Sequence, residues 1–182
     1  GYTANKTRDL SIQILSEIVD RKSSVDIIRD LLVKKLEDDK IIEQAERNIK
    51  GDVANQPWIK SVLVLLEYCM DESESKEQIE PNKTELEHIL PTAWYGNKYW
   101  TSHWGKEEAH EWLNKLGNLT LLSKSKNRKA QNDDFIIKKE IYMGKRGGGE
   151  TQFLITRDVA SKNEDWTLKE VESRQKELET RL

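Results

Sequence analysis

The sequence predicts an α+β protein, mostly helical, in which an N-terminal helical region precedes a small strand–loop–strand–helix unit. Three observations predict it. Apolar residues recur at helical spacing through residues 7–70. Two short runs, TELEHIL (84–90) and NLTLL (118–122), have strand character and flank a long aromatic-rich segment. A helix-like run begins directly after the second of them. The expected division is residues 1–80 as the helical region and 81–182 as the second domain.

In residues 8–20, Leu10, Ile14, Leu15 and Ile18 fall on one helical stripe, and in 24–37 Ile27, Ile28, Leu31, Leu32 and Leu36 do the same. Such stripes are expected to pack into a core. Asn55-Gln56-Pro57 has the form of a helix start, since proline is tolerated in a first turn. The run that follows (Trp58, Ile59, Val62, Leu63, Leu65, Leu66) is apolar enough to be the most buried helix. Residues 71–80, DESESKEQIE, carry five acids and one lysine and read as a solvated linker closed by Pro81.

The strand at 84–90 ends at Pro91. The aromatic loop beyond it holds Trp94, Tyr95, Tyr99, Trp100 and Trp104, expected to pack the loop onto the strands, with base stacking as the alternative. Residues 106–116 suit a short helix with Trp112, Leu113 and Leu116 on one face, and Gly117 suits its C-terminus. After the second strand, Ser123 is placed to cap a helix reaching about Gln131. Asn132 is placed to cap the next, with Asp133 and Asp134 at its positive end. That helix carries Phe135, Ile136 and Tyr142 and stops at Gly144. Gly147 to Gly149 form a flexible loop, and the tail from 161 holds Trp166 and a charged helix through Val171 and Leu178.

Composition narrows the class. Hydrophobic residues make up 36% and charged residues 35% of the 182, with mean hydropathy −0.80. No apolar run approaches the roughly 20 residues of a membrane span. GYTANKTRDL does not read as an export signal, and the missing initiator Met reads as a piece of a longer chain. A single cysteine, Cys69, excludes an internal disulfide. Cys69, His88, His103 and His110 lack any tight paired spacing, so no structural zinc is expected. A cytoplasmic location is the expectation. Net charge is −3, so any nucleic-acid surface must be local. One such stretch exists. From Ser123 to Arg146, eight basic residues (Lys124, Lys126, Arg128, Lys129, Lys138, Lys139, Lys145, Arg146) face three acids (Asp133, Asp134, Glu140). It reads either as a phosphate-binding patch, with Lys129 and Lys138 foremost, or as a solvated face. No phosphate-binding loop of the Walker type is present.

Three pieces concentrate reactive side chains: Glu87-His88-Ile89-Leu90-Pro91, Gly117-Asn118-Leu119-Thr120-Leu121-Leu122, and Ser125-Lys126-Asn127-Arg128-Lys129. A histidine exchanges a proton near neutral pH. A carboxylate and an amide oxygen suit a hard divalent cation. With basic side chains nearby, these are the parts that phosphodiester hydrolysis needs. Glu87 and His88 are adjacent, so on a regular strand they point to opposite faces; the break at Pro91 permits a departure from that geometry. Asn118 also suits a plain turn, and Asn127 an exposed helix position. His103 and His110 have no motif around them.

EHILP, then LGNLTLLSKSKN, then NDDFIIKKEIY, resembles the HNH (His-Me finger) nucleases. The branch it resembles most is that of the modification-dependent restriction proteins of the GmrSD / SspE type. The resemblance spans about 84–144 and extends toward Trp166 and Arg174, where the branch tends to have a closing helix. It implies a ββα-metal motif and hydrolysis of DNA with Mg²⁺ or Mn²⁺. His88 matches the general base and Glu87 the acidic metal ligand. Asn118 matches the residue that braces the histidine-bearing loop, and Asn127 a second metal ligand. Lys124, Lys126, Arg128, Lys129, Lys138 and Lys139 become candidate DNA contacts. The resemblance also implies double-stranded DNA, phage or foreign, as partner, and an upstream ParB-like nucleotide-hydrolysing sensor domain or subunit outside this chain. Two other functions compete with it. One is a nucleic-acid binding module with dormant catalysis; the other is an interaction domain docking onto a sensor.

Overall fold

The structure, a computed structural model, describes residues 4–38, 40–72, 79–80 and 83–182, the side chains of 4–7 excepted. Ten α-helices and two strands are found among the described residues, an α+β architecture dominated by helix. Two compact units divide the chain, Gly1–Asn48 and Ile49–Leu182. The linker expected at 71–80 lies partly, and Pro81 wholly, outside the described residues.

The first unit contains α1 (Ala4–Val19), α2 (Val25–Asp38) and most of α3 (Ile41–Ile49). Its apolar stripes form at the expected spacing but are not buried as expected. Leu15, Ile18, Ile27 and Leu36 are all exposed, and α2 buries no residue. Among the described residues of this unit Glu17 alone is buried, accepting from Arg21 (2.6 Å) and Ser23 (2.7 Å). Leu10, Ile14, Ile28, Leu31 and Leu32 are half-buried, so each stripe is covered only in part.

The second unit is built on two antiparallel strands, β1 (Thr84–His88) and β2 (Leu119–Ser123), in a register that pairs His88 with Leu119 and Thr84 with Ser123. The segment joining them carries a 3₁₀ turn (Trp94–Gly96), α5 (Lys98–His103), α6 (Lys106–Trp112) and a second 3₁₀ turn (Leu116–Asn118). Next come α7 (Lys124–Ala130), α8 (Phe135–Tyr142), α9 (Leu154–Lys162) and α10 (Leu168–Arg181).

The apolar run after Pro57 becomes α4 (Ile59–Met70), and its Ile59, Leu63 and Leu66 share a core with Leu119 and Leu121 of β2 and Phe153 and Ile155. α4 therefore belongs to the same compact unit as the strands, which begins at Ile49 rather than beyond residue 80. A polar contact fixes it there. Glu67, buried in α4, accepts from the backbone N–H groups of Leu154 (2.7 Å) and Ile155 (2.8 Å), the first donors of α9. Those donors have no partner within their own helix, and the carboxylate meets the positive helix end. Glu67→Ala is expected to lower stability by about 2 kcal/mol, since two buried N–H groups lose their acceptor. An unchanged urea midpoint would refute it.

The aromatic loop is mostly interior. Trp94, Trp100, Trp104 and Trp166 are buried, so packing accounts for them and stacking on nucleic-acid bases does not. Trp100 Nε1 donates to the Asp133 carbonyl (3.0 Å) and Trp104 Nε1 to that of Trp166 (2.8 Å). Tyr95 is the exposed member.

Two sequence expectations need correction. Gly117 is not a helix C-cap. It sits in a 3₁₀ turn against α10, where a Cβ would lie 2.6 Å from the Val171 carbonyl oxygen, so close packing requires glycine there. Nor does Asn132 cap α8. Asp134 holds the cap position, while the Asn132 carbonyl accepts from Asn97 Nδ2 (3.1 Å). Ser123 does cap α7, accepting from the Lys126 N–H.

Candidate active site

The first strand ends on the residues singled out above. His88 is its last residue, half-buried, and its Nε2 lies 3.3 Å from Oδ1 of Asn114. An amide oxygen can only accept, so Nε2 carries the proton and Nδ1 keeps its lone pair. Burial lowers the His88 pKa, as does the nearby Lys138 ammonium, while the Asn114 bond opposes them. The ring is thus held neutral at neutral pH, with Nδ1 making no hydrogen bond among the described residues, the state a proton acceptor requires. Asn114 is itself anchored, its carbonyl accepting from the N–H groups of Val53 (2.8 Å) and Ala54 (3.2 Å).

Glu87 points the other way, as adjacent strand residues do. Its side chain is buried, and Oε1 accepts from Lys138 Nζ (2.7 Å) and Tyr142 OH (2.8 Å), both on α8. Burial raises the Glu87 carboxyl and lowers the Lys138 ammonium, each drawn toward neutrality and pulled back by its partner. The Tyr142 pKa is raised by its burial and by Glu87, so the hydroxyl stays a donor. Lys138 Nζ also donates to the His88 carbonyl (2.8 Å). One ammonium therefore fixes two consecutive residues whose side chains diverge.

Asn118 is a fully buried amide with every bonding position used. Its Oδ1 accepts from the Leu90 N–H (2.8 Å) and Trp166 Nε1 (3.1 Å). Its Nδ2 donates to the carbonyls of Leu90 (3.0 Å) and Leu113 (2.9 Å). It clasps the chain two residues beyond His88 and one before Asn114, a bracing position rather than a reacting one. α10 holds the turn that carries it. Arg174 Nη1 donates to the carbonyls of Gly117 (2.6 Å) and Leu119 (2.8 Å), and Gln175 Oε1 accepts from the Gly117 N–H (2.5 Å). Asn118→Ala would leave these four backbone and indole groups unpaired. At about 1–3 kcal/mol for each buried unpaired group, with partial relief from repacking, a loss of at least 3 kcal/mol is expected in chemical denaturation. A loss under 1 kcal/mol would remove its bracing role.

α7 crosses beside β1, with Asn127 Nδ2 3.5 Å from the Leu86 carbonyl, which leaves Oδ1 as a ligating atom. Leu86, Glu87, His88, Pro91, Thr92, Asn127, Arg128, Gln131 and Asn132 line one open depression of about 420 Å³. Among the described residues no three His, Cys, Asp or Glu side chains converge. Two lining residues carry oxygen donors, the Asn127 amide and the Glu87 carboxylate, although the Glu87 side chain is buried on the face opposite the His88 ring with its Oε1 held by Lys138 and Tyr142. Such a set fits Mg²⁺ or Mn²⁺, which prefer oxygen and retain water, better than a thiolate-seeking ion.

The basic stretch splits in two. Lys124, Arg128 and Lys129 are exposed and make no ion pair among the described residues, so they are free to meet phosphate. Three others are committed to the fold. Lys126 is buried, donating to the carbonyls of Ile141 (2.6 Å) and Gly149 (2.5 Å). Lys138 is wholly buried on Glu87. Lys139 bonds the Asn163 carbonyl (2.8 Å) and Glu164 (3.1 Å). The expected phosphate contact from Lys138 is therefore corrected: it has no surface to offer a ligand. Sequence spacing hides such commitments, and it gave no sign of Asn114, Tyr142 or Gln175. His103 pairs with Asp165 (2.8 Å), away from the depression.

Comparison with curated proteins and with solved structures gives no match. The profile of GmrSD restriction endonucleases, C-terminal domain, matches residues 36–180. It thus spans the strands, α7, α8 and the helix that carries Arg174, and the chain belongs to the family of GmrSD restriction endonuclease C-terminal domains.

Proposed function

We propose that this domain is an HNH-type, ββα-metal endonuclease that hydrolyses DNA phosphodiesters with His88 as general base. The observation that carries the reading is the shared depression: His88, Asn127 and Arg128 line it together, with Glu87 also in its lining though its carboxylate is turned to the opposite face of the strand. Membership of a restriction endonuclease family supports DNA as the substrate.

His88 Nδ1 takes a proton from a water in the depression, and that water's oxygen attacks phosphorus. The bond to the 3′ oxygen breaks and that oxygen takes a proton from solvent water, leaving a 3′ hydroxyl and a 5′ phosphate. Glu87 Oε2 and Asn127 Oδ1 would hold a Mg²⁺ or Mn²⁺, which supplies neutralisation of the charge on phosphate and leaving oxygen. Asn114 holds the imidazole in the reactive tautomer. Asn118 and Lys138 hold the chain on either side of it. Arg128 attracts phosphate at the depression, and Lys124 and Lys129 contact phosphates away from the cut, which gives affinity without sequence reading. Cutting is expected to be poorly sequence-specific and to begin as nicks. The reading extends to phage or foreign DNA as target, an upstream nucleotide-hydrolysing sensor domain or subunit, and action in the cytoplasm.

One observation favours a second reading, a binding module with dormant catalysis. The Glu87 carboxylate is already neutralised by Lys138, as a site without a cation would be. Supercoiled plasmid decides between them. Nicked circles with Mg²⁺ or Mn²⁺, abolished by EDTA, are expected of the nuclease. DNA binding without nicking under both metals would leave the binding module.

A further inference from the structure

At the end of α7 the chain reverses through Ala130–Asp133, closed by a bond from the Asp133 N–H to the Ala130 carbonyl (3.0 Å). Gln131 occupies the first corner with φ 34° and ψ −122°. That corner suits glycine; a Cβ there crowds the backbone. The left-handed residue that commonly ends a helix is no explanation, because its ψ is positive. Elsewhere in this unit positive φ falls on glycine, at Gly144, Gly147, Gly148 and Gly149, and Gln131 is the one exception among the described residues. It is also the residue of that group which lines the His88 depression. Its side chain is exposed and makes no hydrogen bond among the described residues. The strained corner therefore holds nothing in the fold through its side chain, yet it presents an amide at the rim, one turn beyond Asn127 and Arg128. Strain kept at such a place points to function.

We propose that Gln131 is a substrate-binding residue, whose amide hydrogen-bonds the sugar–phosphate backbone of DNA beside the phosphate that is cut. This rests on the nuclease reading above. An amide N–H donates to a phosphate oxygen without adding charge, so it fixes the strand's position within the depression while Arg128 supplies attraction.

The test uses the full chain and the variants Gln131→Gly, Gln131→Glu and Gln131→Asn. Three quantities are measured: Tm, Kd for duplexes of two unrelated sequences by fluorescence anisotropy in EDTA, and KM and kcat for Mg²⁺-dependent cleavage. Gln131→Gly is expected to raise Tm, because the strain is relieved. It should also weaken Kd and KM by about tenfold, the value of one bond to a charged group, with kcat within a factor of two. Gln131→Glu should keep the wild-type Tm and bind more weakly still, since its carboxylate faces phosphate. Gln131→Asn, which keeps an amide and tolerates positive φ, should recover part of the affinity. A higher Tm with unchanged Kd would overturn the proposal, as the strain would then serve nothing in binding. A lower Tm for Gln131→Gly would overturn it too, marking a structural side chain. Losses limited to one sequence would replace the backbone contact with base reading. If wild type binds but does not cut, the nuclease reading fails while Kd still decides the role of Gln131. If wild type does not bind, both fall.

Discussion

His88→Ala is expected to lower Mg²⁺-dependent DNA cleavage by about a thousandfold, the range that general base catalysis supplies. Duplex binding should change less than twofold and Tm little, because the half-buried ring makes one long hydrogen bond, to Asn114. The pH profile carries a sharper form of the same expectation. His88 acts only when neutral, so activity is lost as pH falls through its folded-state pKa. Burial and Lys138 depress that value below the ordinary 6.5, which puts the acid limb of kcat/KM below pH 6.5. Folding stability has the same sign: the neutral ring's contribution is present above the unfolded value and is lost as pH falls through the folded one. Asn114→Asp places a carboxylate on Nε2–H, favours the imidazolium, and should move the acid limb upward. Equal cleavage by wild type and His88→Ala, or an acid limb that ignores residue 114, would assign the base to another group.

Much of this site was legible in sequence because its parts sit in short, locally organised pieces. The strand predicted at 84–90 forms over Thr84–His88, the one predicted at 118–122 forms over Leu119–Ser123, and Ser123 caps the next helix as its spacing predicts. His88 and Asn127 then meet at one depression because α7 follows β2 without a loop. The side chains that brace them were not legible. Asn114 reaches His88 across 26 positions and Lys138 reaches Glu87 across 51, contacts that only the closed fold creates. Charge patterning failed in the same way, since a lysine reads as solvated until a buried carboxylate is seen beside it. Helical periodicity located α1 and α2 but could not report that Leu15, Ile18, Ile27 and Leu36 of their stripes stay exposed. The boundary moved for a related reason. α4 looked like part of a separate helical region, yet Leu63 and Leu66 complete the core beneath β2.

Lys138→Met tests the most consequential of these contacts. The ammonium is fully buried, pairs with Glu87 at 2.7 Å and holds the His88 carbonyl at 2.8 Å. Removing one partner of a buried pair leaves the other uncompensated, at a cost of about 3–5 kcal/mol. Here the abandoned group can escape by taking a proton. Burial already raises the Glu87 carboxyl above 4.5, and losing Lys138 raises it further. Below the ordinary value the folded and unfolded states are both protonated, and the charge penalty is absent. Above it the unfolded carboxylate ionises first, so stability is lost as pH rises toward the folded-state value. The destabilisation of Lys138→Met relative to wild type should therefore be smaller at pH 4.5 than at pH 7.5. Glu87→Gln combined with Lys138→Met should regain much of the loss at pH 7.5 and flatten its pH dependence. Cleavage should not recover in that double variant: it lacks the Glu87 carboxylate, and the strand end bearing His88 has lost its clamp. A displacement of about 1 Å there costs around a hundredfold in rate. A pH-independent loss in Lys138→Met would mean that Glu87 is not the group left behind, and a single variant with wild-type cleavage would show that the clamp on His88 does not set its position.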